Sequence, residues 1–278
     1  MKANRAFIEV GGLKTFYTKA GSGHPVLLLH GGSPGASSLI SWKLNIDALA
    51  ESGFTVFAFD QPGFGLTENP KDYSLEYRVA HAKALIDALG LERFHLIGNS
   101  QGAYIAARIA LEDSRTKGMV LVSSGTLAPE ASSASAELSR KHGEDLRGYT
   151  PSIENMRVLS MGTLFKKELV TEDFIKERYE MSTGKNFEAH LARGKAAGGR
   201  PVYDDLKNLS CTTLILWGNN DRGASVDRAF VLFSLMPNAE LHIFHDCAHW
   251  AQWDQSARFN QITADFLKQI RYKESSRT

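Results

Sequence analysis

Three features predict an α/β fold, a mostly parallel, doubly wound sheet with an inserted helical lid. They are six separated apolar runs, helix-period segments between them, and one long break in that alternation. The runs are Val26–His30, Thr55–Asp60, Phe94–Ile97, Met119–Val122, Thr213–Trp217 and Glu240–Phe244. Short, largely unbroken apolar stretches of this kind mark strands covered on both faces.

Ahead of them, Phe7–Val10 and Leu13–Tyr17 flank Gly11-Gly12 and read as a hairpin whose turn the glycines supply. Leu75, Val79, Ala82, Ile86 and Leu89 recur every three or four residues, one helical stripe between an N-cap at Ser74 and a terminating Gly90. Ala103, Ala106, Ala107 and Ala110 line a second helix, and Phe259, Ile262, Phe266 and Ile270 a last one. Between about Pro129 and Pro201 no strand-like run occurs. That stretch opens with a small-residue linker, Ala131–Ser135, and offers helix starts at Thr150-Pro151 and at Thr171 with Glu172 and Asp173 behind it. Met156, Leu159 and Leu164 give it an apolar side, which argues against disorder. The expected division is residues 1–128 and 206–278 for the core and 129–205 for the lid.

The 278 residues carry 32 Lys and Arg against 31 Asp and Glu, with no basic block, so nothing points to nucleic acid or an anionic membrane surface. No run approaches the length that spans a bilayer, and Met1–Arg5 leads into the first strand without a signal-like apolar region. Cys211 and Cys247 match no metal motif and read as free thiols in a reducing cytoplasm. Neither metal nor cofactor is expected.

The chemistry gathers at Gly98-Asn99-Ser100-Gln101-Gly102, where an apolar run meets a helix. G-x-S-x-G in that setting is a nucleophile elbow, which exposes its serine on a strained turn. A serine hydroxyl needs a base, and the base an orienting acid, in the chain order Ser, Asp or Glu, His. Asp221 follows the fifth run and His249 the sixth, so all three reach the carboxyl edge of the sheet. Asp246 competes with Asp221, and His245 with His249. Asp221 is preferred because it directly follows a strand, and His249 because Trp250 and Trp253 would wall it from water. An oxyanion hole needs two backbone N–H donors; these are expected from Gln101 and from Gly32 in His30-Gly31-Gly32-Ser33-Pro34-Gly35-Ala36. Asp60, followed by Pro62-Gly63, reads as structural. Arg178 shares a helical face with Phe174 and Met181, where its charge needs an anion unless it snorkels outward or pairs with Glu177 or Glu180.

These residues resemble the meta-cleavage product hydrolases of the α/β-hydrolase fold, over most of the chain. The resemblance is carried by the His30–Ala36 loop, the Gly98–Gly102 elbow and Cys247-Ala248-His249-Trp250-Ala251-Gln252-Trp253. It implies a Ser–Asp–His hydrolase that cleaves the C5–C6 bond of a 2-hydroxy-6-oxohexa-2,4-dienoate after ketonisation, releasing 2-hydroxypenta-2,4-dienoate and a carboxylic acid. It also implies substrate contacts at Gly31, Gly32, Ser33, Asn99, Trp250 and Arg178, the last holding the dienoate carboxylate, in a cytoplasmic homo-oligomer, a dimer or tetramer. Three positions depart from the family pattern: Gln101 stands where Met is usual, Ser41 where many members have Asn, and Ala248 where Gly is usual. A carboxylesterase on the same triad and a non-catalytic ligand receptor are the competing readings.

Overall fold

The hairpin forms as expected: β1 (Asn4–Val10) and β2 (Leu13–Ala20) pair antiparallel around Gly11 and Gly12, whose φ values of 59° and 77° suit a type I′ turn. The computed structural model describes residues 3–275, with side chains to Ile270. The later strands are β3 (His24–Leu29), β4 (Phe54–Phe59), β5 (Phe94–Asn99), β6 (Thr116–Val122), β7 (Thr212–Gly218) and β8 (Ala239–Phe244). They complete one sheet in the order β1-β2-β4-β3-β5-β6-β7-β8, parallel from β4 to β8. Helices α1 (Ser38–Ser41), α2 (Ile46–Glu51), α3 (Leu75–Ala88) and α4 (Gln101–Glu112) fill the first crossovers.

Side-chain alternation sorts the core into two layers. Leu27, Leu29, Phe59, Leu96 and Trp217 face one side, with Val79 of α3 and Ile105 of α4. Val26, Leu28, Val56, Ile97 and Leu216 face the other, with Leu49 of α2 and with Phe259 and Leu267 of the C-terminal helix.

Between β6 and β7 the chain builds only helices: α5 (Ser133–Arg147), α6 (Ile153–Thr163), α7 (Glu172–Glu180) and α8 (Lys185–Lys195), with two short 3₁₀ turns. After β7 follow α9 (Asp227–Leu235), α10 (Ala251–Asp254) and α11 (Ser256–Ser275). Two expectations need correction. The Ala131–Ser135 linker is the start of α5: Ser132 caps it by accepting the Ser135 N–H. No residue of α5 is buried, so it left no apolar period to read. The start expected at Thr150-Pro151 falls two residues later. Ser152 is the cap, accepting from Asn155 N–H, and Thr150 instead holds the Asn155 amide. Thr171 caps α7 as expected.

A third apolar cluster fastens this insertion to the sheet edge. Met156 and Leu164, together with Phe174 and Ile175 of α7, pack on Ile40, Trp250 and Trp253. Among the described residues no helix is long and apolar enough to cross a membrane.

Candidate active site

The chain turns from β5 into α4 at Ser100, whose φ of 56° is rare for a residue with a side chain and marks a strained turn. Its neighbours must be glycine: a Cβ on Gly98 would sit 2.3 Å from the Gly102 carbonyl oxygen, and one on Gly102 would sit 2.1 Å from that of Leu29. The Ser100 N–H donates to Val122 O at 2.8 Å, tying the turn to β6. Gln101 is the first residue of α4, so its N–H has no partner inside the helix.

Asp221 and His249 meet behind the elbow, with Asp221 Oδ2 2.8 Å from His249 Nδ1. The other carboxylate oxygen accepts the Gly223 and Ala224 N–H groups at 2.8 and 2.9 Å, so the acid is fully hydrogen-bonded. Burial by itself lowers the His249 pKa, but the charge of Asp221 and its hydrogen bond outweigh burial and hold the ring above its ordinary value. Neither rival takes part: His245 contacts Asn219, and Asp246 is exposed. The backbone of His249 is clamped as well. Its N–H donates to Thr163 O at the end of α6, and its carbonyl accepts from Asn99 Nδ2, both at 3.2 Å.

Ser100 and His249 line one cavity of about 60 Å³, without a hydrogen bond between them among the described residues. Such contacts often tighten only when substrate binds. Gly31, Gly32 and Ser33 form another wall, with Asn99, Gln101 and Trp250. The glycine loop is held by His30: its Nδ1 bonds Gly31 O at 2.7 Å, and its Nε2 accepts the Gln61 N–H at 3.0 Å. Burial pushes the His30 pKa down to about 3, which keeps the ring neutral for both bonds. The Gln101 side chain lies over this loop, where a Cβ on Gly32 would be 2.0 Å from its Oε1, and that oxygen accepts from Arg78 Nη2 at 2.9 Å. A larger cavity of about 390 Å³, between the sheet edge and α7, contains none of Ser100, Asp221 or His249 and has no catalytic constellation.

Four wall residues escaped sequence reasoning: His142 and Leu146 of α5, and Leu159 and Thr163 of α6. His142 places its ring centroid 6.0 Å from that of His249. Burial, then the charge of His249, lowers its pKa. An isolated histidine on a polar helix carries no signal in sequence.

Arg178 is fully buried, so it neither snorkels nor pairs with its helix neighbours; Glu177 instead bonds Lys43. It stands just behind the cavity rather than on its wall. Nη1 donates to Ser160 Oγ at 2.9 Å and Nη2 to Pro34 O at 3.2 Å, and the guanidinium lies 5.0 Å from the Trp250 ring centroid. Its Nε has no partner, and no carboxylate faces it among the described residues. Burial draws its pKa down to about 10, so it remains charged at neutral pH. Arg108, buried on α4, shows the ordinary solution, with Glu76 and Glu112 at 2.6 and 2.9 Å. Asn99 is less available to a ligand than expected, because its Nδ2 is spent on Val122 O and His249 O. Ser41 is buried away from this cavity. Asp60 accepts Ser38 N–H and Oγ–H and Leu66 N–H, a structural knot after β4.

This arrangement can pass a proton from a hydroxyl to an imidazole backed by a carboxylate, beside unpaired amides and a stranded cation. The comparisons agree with that chemistry. A family model described as alpha/beta hydrolase fold matches residues 24–256. A 2-hydroxy-6-oxononadienedioate/2-hydroxy-6-oxononatrienedioate hydrolase of Pseudomonas sp is 34% identical over 89% of each chain. A 2-hydroxy-6-oxo-6-phenylhexa-2,4-dienoate hydrolase of Comamonas testosteroni is 33% identical over 91% of each. Among solved structures, a variant of the meta-cleavage product hydrolase from Pseudomonas fluorescens IP01 superposes with a TM-score of 0.83 at 33% identity, covering 95% of this chain and 97% of that one. Fold, site geometry and relatives converge: the chain belongs to the α/β hydrolases and, within them, to the meta-cleavage product hydrolases.

Proposed function

We propose that this chain hydrolyses the C5–C6 bond of 2-hydroxy-6-oxohexa-2,4-dienoates in the breakdown of aromatic compounds. The observation that carries this reading is Arg178, a buried cation without a counterion that lies against Trp250, a wall of the Ser100 cavity. A guanidinium kept out of water is costly unless an anion completes it, and the dienoate carboxylate is such an anion. An esterase acting on neutral esters has no use for that charge.

In this reading His249 draws the proton from Ser100 Oγ, and Asp221 stabilises the resulting imidazolium. Attack on the C6 carbonyl of the ketonised substrate places negative charge on its oxygen, which accepts from the Gly32 and Gln101 amides. Collapse breaks C5–C6. The electron pair moves through the C3–C4 double bond onto the C2 oxygen, which takes the proton, and 2-hydroxypenta-2,4-dienoate leaves. Water then attacks the Ser100 ester, breaking the Oγ–C6 bond: its oxygen and one hydrogen complete the carboxylic acid, and its other hydrogen restores the Ser100 hydroxyl. Gly31, Ser33, Asn99 and Trp250 shape the space around the dienoate. Residues 129–205 act as a lid over a core of 1–128 and 206–278.

Purified protein should bleach the yellow dienoate, Ser100→Ala should abolish turnover, and a fluorophosphonate should label Ser100. Aryl-ester turnover without dienoate turnover would favour the carboxylesterase, and tight dienoate binding without labelling would favour a receptor. The buried free thiols Cys211 and Cys247 support a reducing, cytoplasmic setting. Phe230 and Phe233, exposed on α9 near the edge strand β8, support a homo-oligomer, which light scattering would measure.

A further inference from the structure

The position after the nucleophile, where the family pattern has methionine, carries a side chain that the reaction above leaves unused. Gln101 folds back from the start of α4 over the glycine loop. A Cβ built on Gly32 would lie 2.0 Å from its Oε1 and 3.2 Å from its Nε2. The carboxamide thus rests on one of the two expected oxyanion donors and belongs to the residue that supplies the other.

Arg78 fixes which end of the amide faces which way. A guanidinium has donors only, so the atom it meets at 2.9 Å is the amide oxygen. Arg78 is buried on α3 and holds a second glutamine in the same manner. Its Nη1 meets Gln61 Oε1 at 3.3 Å, and the Gln61 amide nitrogen donates to the His30 carbonyl. Gln101 Nε2 has no such acceptor among the described residues. Gln101 is only half-buried and lines the cavity at Ser100, so this free amide end belongs to a side chain that substrate can reach. The cation behind the amide oxygen strengthens the donor in front of it, because hydrogen bonds in series polarise one another, the more so away from water.

We propose that the Gln101 side chain is a third donor to the oxyanion: its Nε2–H bonds the C6 oxygen of the dienoate as that oxygen gains charge. Arg78 is the positioning residue, which turns the amide and polarises it. The assignment deepens the hydrolase reading and rests on it. A methionine thioether cannot donate, so this chain stabilises the intermediate with one hydrogen bond more than the pattern it departs from.

Gln101→Glu and Gln101→Leu separate this role from a purely structural one, in which Gln101 serves only to give Arg78 an acceptor. Both variants keep the backbone N–H. The Glu variant keeps the acceptor and charges it, but loses the donor and sets a carboxylate beside the oxyanion. The Leu variant loses acceptor and donor alike. Steady-state kinetics of the full chain on the 6-methyl, 6-phenyl and 6-(2-carboxyethyl) dienoates, with a thermal melt of each variant, decide it. On the substrate the parent prefers, kcat should fall about tenfold or more in the Leu variant and about a hundredfold or more in the Glu variant. KM should change little, since the lost contact forms only in the transition state. The melting temperature should stay level or rise in the Glu variant and fall in the Leu variant, which strands the Arg78 charge. Parental kcat in either variant, or losses carried by KM alone, overturns the third donor and leaves the hydrolase reading standing. A parent chain that turns over none of the three dienoates overturns both.

Discussion

The two halves of the helical insertion are held by different forces. Helices α6 and α7 bury Met156, Phe174, Ile175 and Arg178, and Leu164 just beyond α6 is buried with them. The end of α6 is pinned further by Asp254, which accepts the Phe165, Lys166 and Ala248 N–H groups. Helix α5 buries no residue, and its surface carries the ion pairs of Arg140 with Glu137 and Glu144. Exposed pairs of that kind contribute little. The firm half holds the backbone of His249 through Thr163, whereas the loose half supplies His142 and Leu146 to the cavity wall. The cavity of about 60 Å³ adjoins a second of about 400 Å³ at Ser100, Gln101, His142, Leu146 and His249. Of the two halves, α5 is the one whose displacement costs least, and it would leave the base in place.

Four experiments break or sharpen this contrast. The largest effect is expected at the base the firm half supports. Asp221→Asn should lower kcat by roughly 10⁴-fold, the usual cost of losing the orienting acid. In the parent enzyme the acid limb of kcat/KM should lie above the ordinary 6.5, because the ring must be neutral to accept a proton and its pKa is raised. The same shift has the opposite sign for stability. The Asp221–His249 contribution is complete below 6.5 and is lost as pH rises through the raised value. In the Asn variant the limb should move down, since burial still acts alone; a limb that stays put would disprove the pairing.

Next, Asp254→Ala should cost about 2–3 kcal/mol in denaturant unfolding, because the buried Ala248 N–H and the half-buried Phe165 and Lys166 N–H groups lose their acceptor. An unchanged midpoint would mean that the firm half is not firm. Arg178→Met should weaken dienoate binding by about 10–100-fold, the worth of a charge-assisted contact. Its melting temperature should hold or rise, since a stranded buried charge is gone. Loss of stability without loss of affinity would make Arg178 structural. The smallest effect concerns α5 itself: hydrogen exchange should be faster in its amides than in those of α6 and α7, and Glu137→Ala should leave the melting temperature where it is.

Most of the scaffold was legible because its strands are buried on both faces and announce themselves as apolar runs. The elbow was legible because two glycines are sterically compelled at Gly98 and Gly102. The pairing of Asp221 with His249 followed from chain order. Other features leave no such trace. Helix α5 has no buried face and so no period, and its Ser132 cap looked like part of a linker. The bond from His249 N–H to Thr163 runs between backbones, which no side-chain identity reveals. Arg178 was visible as a misplaced charge, but its seat behind Trp250, and not on the wall, depends on tertiary packing.

The contact between Gln101 and Arg78 has an evolutionary corollary. Arg78 is buried, its Nε is unpartnered, and apart from Gln101 its guanidinium meets, among the described residues, Gln61 Oε1 at 3.3 Å and the face of the Phe64 ring. A methionine after the nucleophile would withdraw the main acceptor and strand that charge. The two positions are therefore coupled: a methionine at 101 calls for an uncharged residue at 78.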